Sequence, residues 1–208
     1  MEYMEGLPIR RYVDADDSCL FSSIAYLYDR KNFNESSSLI YRNMIVEYLC
    51  NNEFEESLLD LPKNDYINEI SNPNKWGGGI EIKIFTEILK IEIAIVDVQT
   101  NRIDLFGQDK NYSNRIFILY NGVHYDPLVI NFDESADPDS DLTVFKTNEN
   151  EILELFKTYV KKFNEKGDFI DIGKMFSLEC IDCKEKFLNE ENATGHAKKS
   201  DHWNFKQI

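Results

Sequence analysis

No stretch of this 208-residue sequence approaches the roughly 20 apolar residues of a membrane-spanning helix, and its start, MEYMEGLPIRRY, lacks the apolar core of a signal peptide. Basic residues are also few, with 23 Lys and Arg against 38 Asp and Glu and a formal net charge of −15. Phosphate backbones and anionic lipids are bound chiefly through Lys and Arg. The charge therefore predicts that neither nucleic acid nor a membrane is the main partner.

Cysteine and histidine are scarce as well, with four and three residues. Only Cys180 and Cys183 lie close together in sequence, so nothing suggests a disulfide framework, and a reducing compartment is expected. We expect a soluble monomer in the cytoplasm, with the nucleus as a further location.

Apolar residues are plentiful enough for a core, at 42% hydrophobic and 13% aromatic. Helical spacing predicts helices over 19–30, 36–50 and 150–166, and further helices within LPKNDYINEISNP and KWGGGIEIKIFTEILK. In the second helix the expected core positions are Leu39, Ile40, Met44, Val46 and Leu49. IEIAIVDV, NRIDLFG and RIFILY predict three strands, whereas the acidic segment 131–148 predicts a loop. The fold class is α/β (α+β), with a small central sheet between helices.

The C-terminal region contains a four-ligand pattern. Twelve residues separate Cys180-x2-Cys183 from His196, and five more precede His202, which is the spacing of a ββα zinc finger. Phe187 would lie on the second strand, and one helix would carry both histidines. Such a small segment would need zinc to fold. Chance placement of these residues is the weaker alternative, and the balance of lysines and acids from 173 to 208 favours a structural or protein-binding finger over a DNA reader.

If zinc takes two histidines, His124 is the one that remains. It follows the Asn121-Gly122 turn at the end of a predicted strand, and Asp126 lies two residues on, on the same face of an extended chain. Cys19 begins a predicted helix, whose positive end favours a thiolate, and an imidazolium would favour it further. Cys19 and His124 therefore make a candidate nucleophile–base pair, with Asp126 orienting the histidine.

Alternatives to this pair stay open from composition and spacing. Free cysteine is among the most buried residue types, so Cys19 alone is more often a core residue. Asp16 and Asp17 place negative charge beside it and oppose the thiolate, unless they cap backbone amides. The N–H groups of 14–19 would then line an oxyanion hole. Spacing does not establish that Cys19 and His124 meet.

Four motifs resemble the ovarian tumour (OTU) class of cysteine deubiquitinases, in the yeast-type subfamily that ends in a two-Cys two-His finger. DDSCLFSSIAYLY is similar to the nucleophile motif, WGGGIEI to the Trp-Gly-Gly segment and FILYNGVHYDPL to the histidine loop, and the finger spacing also fits. The resemblance implies a papain-like cysteine protease fold. It implies an OTU catalytic domain over 1–130, an acidic linker and helix over 131–172 and a zinc finger over 173–208.

The resemblance also implies an activity and site residues. The activity is thiol-dependent cleavage of ubiquitin from polyubiquitin chains or conjugated proteins. Cys19 would be the nucleophile, His124 the general base and acid, Asp126 the histidine-orienting residue and Asp16 the loop aspartate. Substrate contacts are expected at Val123, Trp76, Gly77, Gly78 and Gly79. Zinc at Cys180, Cys183, His196 and His202 would be structural, with no cofactor for catalysis.

Subfamily members usually carry an N-terminal UBX-like domain that docks on the valosin-containing AAA unfoldase. This chain begins almost at the nucleophile motif, so either it is part of a longer protein or this homologue lacks that domain. Docking on the unfoldase, and a role in endoplasmic-reticulum-associated degradation, therefore stay open. The alternatives to a deubiquitinase are an inactive ubiquitin-binding module and a protease for another ubiquitin-like modifier.

Overall fold

A computed structural model describes residues 6–133, 135–169, 178–187 and 190–207. The chain forms two compact units, Met1–Asp168 and Phe169–Ile208. The expected domain boundary at residue 130 falls inside the first unit, and residues 170–177, around the expected start of the finger, lie outside the described residues. In the part of the chain that is described, no helix is long and apolar enough to cross a membrane.

Five α-helices lie in the described part of the first unit. They are α1 (Cys19–Tyr28), α2 (Ser37–Asn51), α3 (Lys63–Ile70), α4 (Gly79–Leu89) and α5 (Asn150–Lys166). Each was predicted from its apolar spacing. The apolar faces of α1 to α4 form a continuous core with the sheet, centred on fully buried residues such as Phe21, Ile45 and Phe85.

The predicted core face of α2 was wrong at two of its five positions. Leu39 and Ile40 are exposed, whereas Leu49 is buried and Met44 and Val46 pack, partly buried, against the core. The buried face also carries Ser37, Tyr41, Arg42 and Ile45. Side chains four residues apart stack on one side of a helix, which explains the series from Ser37 to Leu49. A charged residue on that face hid the pattern.

The first unit has a seven-stranded sheet. Its strands are β1 (Leu7–Arg10), β2 (Glu92–Asp97), β3 (Ile103–Phe106), β4 (Asn114–Tyr120), β5 (Tyr125–Asn131), β6 (Asp141–Leu142) and β7 (Phe145–Lys146). The main order is β1-β5-β4-β2-β3; β6 pairs with β5 and β7 with β4. Only β2 and β4 are parallel among these pairs. The three predicted strands are confirmed as β2, β3 and β4.

The register of this sheet sets the position of the candidate site. β4 and β5 are antiparallel, with Tyr120 opposite Tyr125, so the connecting turn places His124 at the end of the pair. Helix α1 packs across β5 and β4, and Ser23 Oγ donates to the Tyr125 carbonyl at 3.0 Å. This crossing brings the start of α1 beside the turn.

The strands β1, β6 and β7 were not predicted. The acidic segment 131–148 is therefore partly sheet, because Asp141–Leu142 and Phe145–Lys146 each add two residues to an existing strand edge. A two-residue strand has too few positions to show an alternation of apolar and polar residues. Its pairing depends on the neighbouring strand.

The second unit contains β8 (Leu178–Cys180), β9 (Lys186–Phe187), α6 (Glu190–Ser200) and β10 (Phe205–Gln207). Phe187 lies on the second strand, as predicted. The prediction that one helix carries both histidines was wrong. Helix α6 ends at Ser200, and Asp201 takes a left-handed φ of 60°, so His202 follows in a loop. The third strand, β10, pairs with β8 and was not predicted.

We expect Phe156→Ala to destabilise the first unit by about 3–5 kcal/mol, the usual cost of truncating a buried phenylalanine. Phe156 is fully buried on α5, with its ring centroid 4.7 Å from that of Phe117 on β4. Urea unfolding followed by circular dichroism measures the change. Glu154→Ala, at an exposed position of the same helix, should change the free energy of unfolding by less than about 0.5 kcal/mol. Equal effects of the two variants would contradict this packing.

Candidate active site and metal centre

Cys19 is the first residue of α1 and is only 7% exposed. Its N–H makes a long bond of 3.3 Å to the Asp16 carbonyl, because the chain turns through Asp16–Ser18 directly before the helix. Ser18 is the N-cap, but its hydroxyl does not cap the helix. The thiol therefore lies at the positive end of the α1 helix dipole.

His124 is held by the turn between β4 and β5. Gly122 has a φ of 105°, which favours glycine, and Asn121 Oδ1 accepts hydrogen bonds from the N–H groups of Val123 and His124 at 3.3 and 2.9 Å. The imidazole interacts with Asp126 and with Cys19. Hydrogen bonds to Asp126 first and then Cys19 raise its pKa to about 10, against burial. The structure thus brings Cys19, His124 and Asp126 together with an imidazole that is protonated at neutral pH.

Asp126 is fully buried on β5. Its Oδ1 lies 3.1 Å from His124 Nε2 and accepts the Val13 N–H at 3.1 Å, while Oδ2 accepts Arg10 Nε at 2.8 Å. Burial alone would raise the pKa of this carboxyl, but the bonds from His124, Val13 and Arg10 together hold its pKa below the usual range. A permanent carboxylate at this position orients the imidazole and stabilises its positive charge.

The two aspartates before Cys19 are both engaged. Asp16 Oδ1 accepts the Ser18 N–H at 2.9 Å, and Asp17 Oδ1 accepts the Trp76 indole N–H. Asp16 therefore shapes the loop by a side-chain-to-backbone bond. This is the kind of contact, a carboxylate that caps a backbone amide, under which its negative charge need not oppose a Cys19 thiolate. No contact joins Asp16 to His124 among the described residues.

A buried arginine, Arg42, joins this loop to the segment before Trp76. Its Nη1 donates to the Ile70 carbonyl at 3.0 Å, and Nη2 donates to Ser18 Oγ at 2.8 Å and, over longer distances, to the carbonyls of Asp17 (3.2 Å) and Pro73 (3.3 Å). Burial lowers its pKa, but the charge persists because the pKa of a guanidinium starts so high. Arg42 thereby fixes both loops and places positive charge near Glu81, Asp16 and Asp17.

A cavity of about 180 Å³ opens beside the thiol. Its walls are formed by the nucleophile loop, the Trp-Gly-Gly segment and the histidine turn: Asp17, Cys19, Trp76, Gly77, Gly78, Tyr120, Val123 and Tyr125. A Cβ on Gly77 would come within 2.9 Å of Leu20 and Phe21, so glycine is required there by packing on α1. Gly78 has open space where its Cβ would be. Gly79, which begins α4, is not among these lining residues.

Several residues around the cavity were not predicted from the sequence. Glu81 accepts the Gly78 N–H at 2.7 Å and the Tyr66 hydroxyl, so it fixes the glycine segment at the start of α4. Tyr120 and Tyr125 stack at 4.6 Å between ring centroids and form one wall. Glu81 could have been recognised from the sequence, because it is a charged residue inside the otherwise apolar segment WGGGIEI.

The predicted metal ligands form a separate cluster in the second unit. Cys180, Cys183, His196 and His202 bring one ligand atom each within 4.8 Å of one another. Cys183 Sγ lies 3.4 Å from His196 Nε2, close to the roughly 3.5 Å expected for a sulfur and a nitrogen on one tetrahedral zinc. His196 Nδ1 contacts Glu185 at 3.1 Å, the outer carboxylate that metal-bound histidines usually have. The donor set therefore fits zinc.

We expect the His124 imidazole to titrate near pH 10 and Asp126→Asn to lower its pKa toward the ordinary 6.5, because the larger stabilising partner is lost. Since the folded pKa lies above 6.5, these interactions add stability that is complete below about pH 6.5 and disappears as the pH rises through about 10. NMR titration of the histidine ring signals measures both values.

Asp109→Asn is the control for this titration, since it removes an exposed carboxylate from the turn before β4. It should leave the His124 titration unchanged. A wild-type His124 that loses its proton near pH 6.5 would contradict the described contact with Asp126.

Comparisons with known proteins identify the family of this chain. The family model described as OTU-like cysteine protease matches residues 14–130. A relative named Ubiquitin thioesterase OTU1 from Dictyostelium discoideum is 36% identical over 198 residues, which are 94% of this chain and 60% of that relative. The chain therefore spans about three fifths of the length of that protein. An Arabidopsis thaliana relative named OVARIAN TUMOR DOMAIN-containing deubiquitinating enzyme 2 is 35% identical, covering 98% of this chain and 99% of that relative.

A solved structure described as an ovarian tumor domain in complex with ubiquitin has the same fold. It is 31% identical, with a TM-score of 0.67, and the match covers 78% of this chain and 90% of that chain. The family model spans the nucleophile loop, the glycine segment and the histidine turn, and thus every residue of the cavity. The chain belongs to the OTU-like cysteine protease family.

Proposed function

We propose that this chain is a thiol-dependent deubiquitinase that cleaves ubiquitin from polyubiquitin chains or conjugated proteins. The observation that carries this proposal is the placement of Cys19, at a helix N-terminus, against the His124–Asp126 pair and beside a cavity with glycine in its wall. The relatives named as ubiquitin thioesterase and deubiquitinating enzyme support the same activity.

In the proposed first step, the Cys19 thiolate attacks the carbonyl carbon of the scissile bond. The oxyanion that forms needs N–H donors. Those of Asp16 and Ser18 are already bonded within the loop, whereas the Cys19 N–H makes only a long bond of 3.3 Å, so we assign this N–H to the oxyanion. The intermediate collapses when His124 gives its proton to the leaving lysine amine. A protonated resting imidazole suits this role.

In the second step the thioester between Cys19 and ubiquitin is hydrolysed. Neutral His124 takes a proton from water, and the resulting hydroxide attacks the thioester carbonyl. Ubiquitin leaves as a carboxylic acid, which releases its proton to solvent, and Cys19 returns to the thiolate paired with imidazolium. Throughout, Asp126 keeps the ring oriented and Asp16 keeps the loop shaped.

The proposed substrate is recognised partly through its lack of side chains. A cavity of about 180 Å³ walled by Gly77 and Gly78 accommodates an extended backbone more readily than bulky residues. The Gly-Gly end of ubiquitin has this property. Val123 and the half-exposed Trp76 would contact that tail, and the solved relative in complex with ubiquitin supports such binding.

The second unit is proposed to bind one structural zinc through Cys180, Cys183, His196 and His202. Zinc bound there would supply folding free energy and no catalytic chemistry, because all four positions of a tetrahedral site are taken by protein ligands. We propose a monomer acting in the cytoplasm, with the nucleus as a further location. Docking on the valosin-containing AAA unfoldase would need a UBX-like domain. We therefore propose it only for a longer protein that contains both this chain and such a domain.

We expect Cys19→Ala to abolish cleavage of a panel of di-ubiquitin linkages, because Cys19 is the only cysteine among the described residues that line the cavity and the proposed mechanism needs its thiolate. The panel also gives the linkage preference of the active chain. Cys50→Ala, which removes an exposed cysteine at the end of α2, is the matched control and should cleave like the wild type.

A ubiquitin probe with a C-terminal electrophile provides a second measurement. It should modify Cys19 and spare Cys50. Turnover retained by Cys19→Ala would reject the mechanism. Probe binding without any turnover by the wild type would indicate an inactive binding module, and selective turnover of another ubiquitin-like protein would change the substrate.

We expect chelation to release one zinc per chain and expose the finger to proteolysis, since such small units fold only with their metal. Cys180→Ser should bind no zinc by elemental analysis, whereas Cys50→Ser should retain it. Because zinc is proposed to be structural, probe labelling of Cys19 should survive chelation. Loss of that labelling on chelation, with the first unit still folded, would contradict the structural assignment.

A further inference from the structure

Arg10, the last residue of β1, reaches the carboxylate of Asp126. Both Nε and Nη2 lie 2.8 Å from Asp126 Oδ2, and the arginine side chain is only 8% exposed. The next residue, Arg11, lies just beyond β1 and forms an equally close pair with a different carboxylate, that of Asp141, at 2.6–2.8 Å.

The two oxygens of Asp126 have separate partners. Arg10 occupies Oδ2, which leaves Oδ1 for His124 Nε2 and the Val13 N–H, each at 3.1 Å. A carboxylate with only the Oδ1 contacts could rotate about its Cβ–Cγ bond and exchange its oxygens. The guanidinium opposes that rotation, because two of its nitrogens, Nε and Nη2, both donate to Oδ2.

Arg10 is itself fixed by α5 and by Asp168, which lies just beyond that helix. Its backbone N–H donates to the Tyr159 hydroxyl at 3.0 Å, its Nη1 lies 3.2 Å from Asp168, and its guanidinium carbon lies 5.4 Å from the centre of the Phe163 ring. All these groups lie outside the segment 14–130 that the family model matches. The catalytic carboxylate thus depends on two flanking elements, β1 and α5.

We propose that Arg10 is a positioning residue, which fixes the carboxylate of Asp126 and thereby the ring of His124 against Cys19. This inference rests on the proposed function for the identity of the reacting groups. The inference adds that β1 and α5, which lie outside the segment matched by the family model, help to position the catalytic groups of this chain.

The charged groups around Asp126 set the expected pH effect. Arg10 faces it from β1 and His124 from the turn; the Tyr159 hydroxyl and the Asp168 carboxylate, from α5 and its end, contact Arg10. Without Arg10, a fully buried carboxylate keeps only His124 and one N–H. Its pKa then rises, since burial disfavours the charged form. Mild acid would protonate it and release the imidazolium.

The test compares Arg10→Met and Arg10→Lys with Arg11→Met and Arg11→Lys in the full chain. For each variant, kcat and KM are measured on a fluorogenic ubiquitin substrate. The rate of Cys19 alkylation by iodoacetamide is followed against pH by peptide mass spectrometry, and thermal unfolding gives the stability. The Arg11 variants are the matched controls because they break a comparable buried pair away from Asp126.

We expect Arg10→Met to lower kcat by about 10²-fold, the scale of a small misplacement of catalytic groups, with KM unchanged. The acid limb of its alkylation profile should move to higher pH. Arg10→Lys should fall between Arg10→Met and wild type, because lysine restores the charge without the two-donor fork. The Arg11 variants should lower the unfolding temperature but keep wild-type kcat and the wild-type acid limb.

Wild-type kcat and acid limb in Arg10→Lys and Arg10→Met would overturn the inference. So would an equal loss of kcat in Arg10 and Arg11 variants of matched unfolding temperature, since that loss would come from stability alone. If Arg10→Met does not fold, Arg10→Lys against Arg11→Lys makes the same comparison. In a further outcome, the wild type shows no turnover of the ubiquitin substrate while the Arg10 variants still displace the acid limb of Cys19 alkylation. That result would reject the proposed substrate and support the positioning role.

Discussion

The fully buried carboxylate of Asp126 is the group on which the arrangement of the site depends. A charge removed from water is strongly destabilising unless hydrogen bonds and opposite charges compensate it. Here the compensation comes from β1 through Arg10, from the following chain through Val13 and from the histidine turn through His124. One carboxylate therefore ties three parts of the chain together at the point where chemistry is proposed.

A second buried charge organises the opposite side of the cavity. Arg42 has no carboxylate partner within hydrogen-bonding distance in the described residues, and its bonds go to backbone carbonyls and the Ser18 hydroxyl. These acceptors lie on the nucleophile loop and on the chain that leads to Trp76. A rigid planar donor can hold both segments at once, which single-point contacts cannot. The two walls of the cavity are thereby kept at a fixed separation.

The two units use different means of stabilisation. The first buries a continuous apolar core between the sheet and α1 to α4, and a further aromatic cluster of Phe117, Phe145 and Phe156 lies between the sheet and α5. The second has few buried side chains among its described residues, and its cysteines and histidines converge on one point instead. A unit of this size lacks the apolar area to fold alone, so a metal is the expected substitute.

The sequence by itself determined the long helices, the three central strands, the candidate Cys19–His124–Asp126 group and the four candidate metal ligands, because these depend on local spacing and on rare residue types. Apolar periodicity located α1 and α5, and the four-ligand spacing located the metal cluster. Only the tertiary structure decided that Cys19 and His124 meet, that Asp16 bonds to Ser18, and that Arg10 and Arg42 hold the site. The strands β1, β6 and β7 were likewise decided by pairing. The physical reason is that buried charges and short strands gain their stability from partners distant in sequence, which a local pattern does not contain.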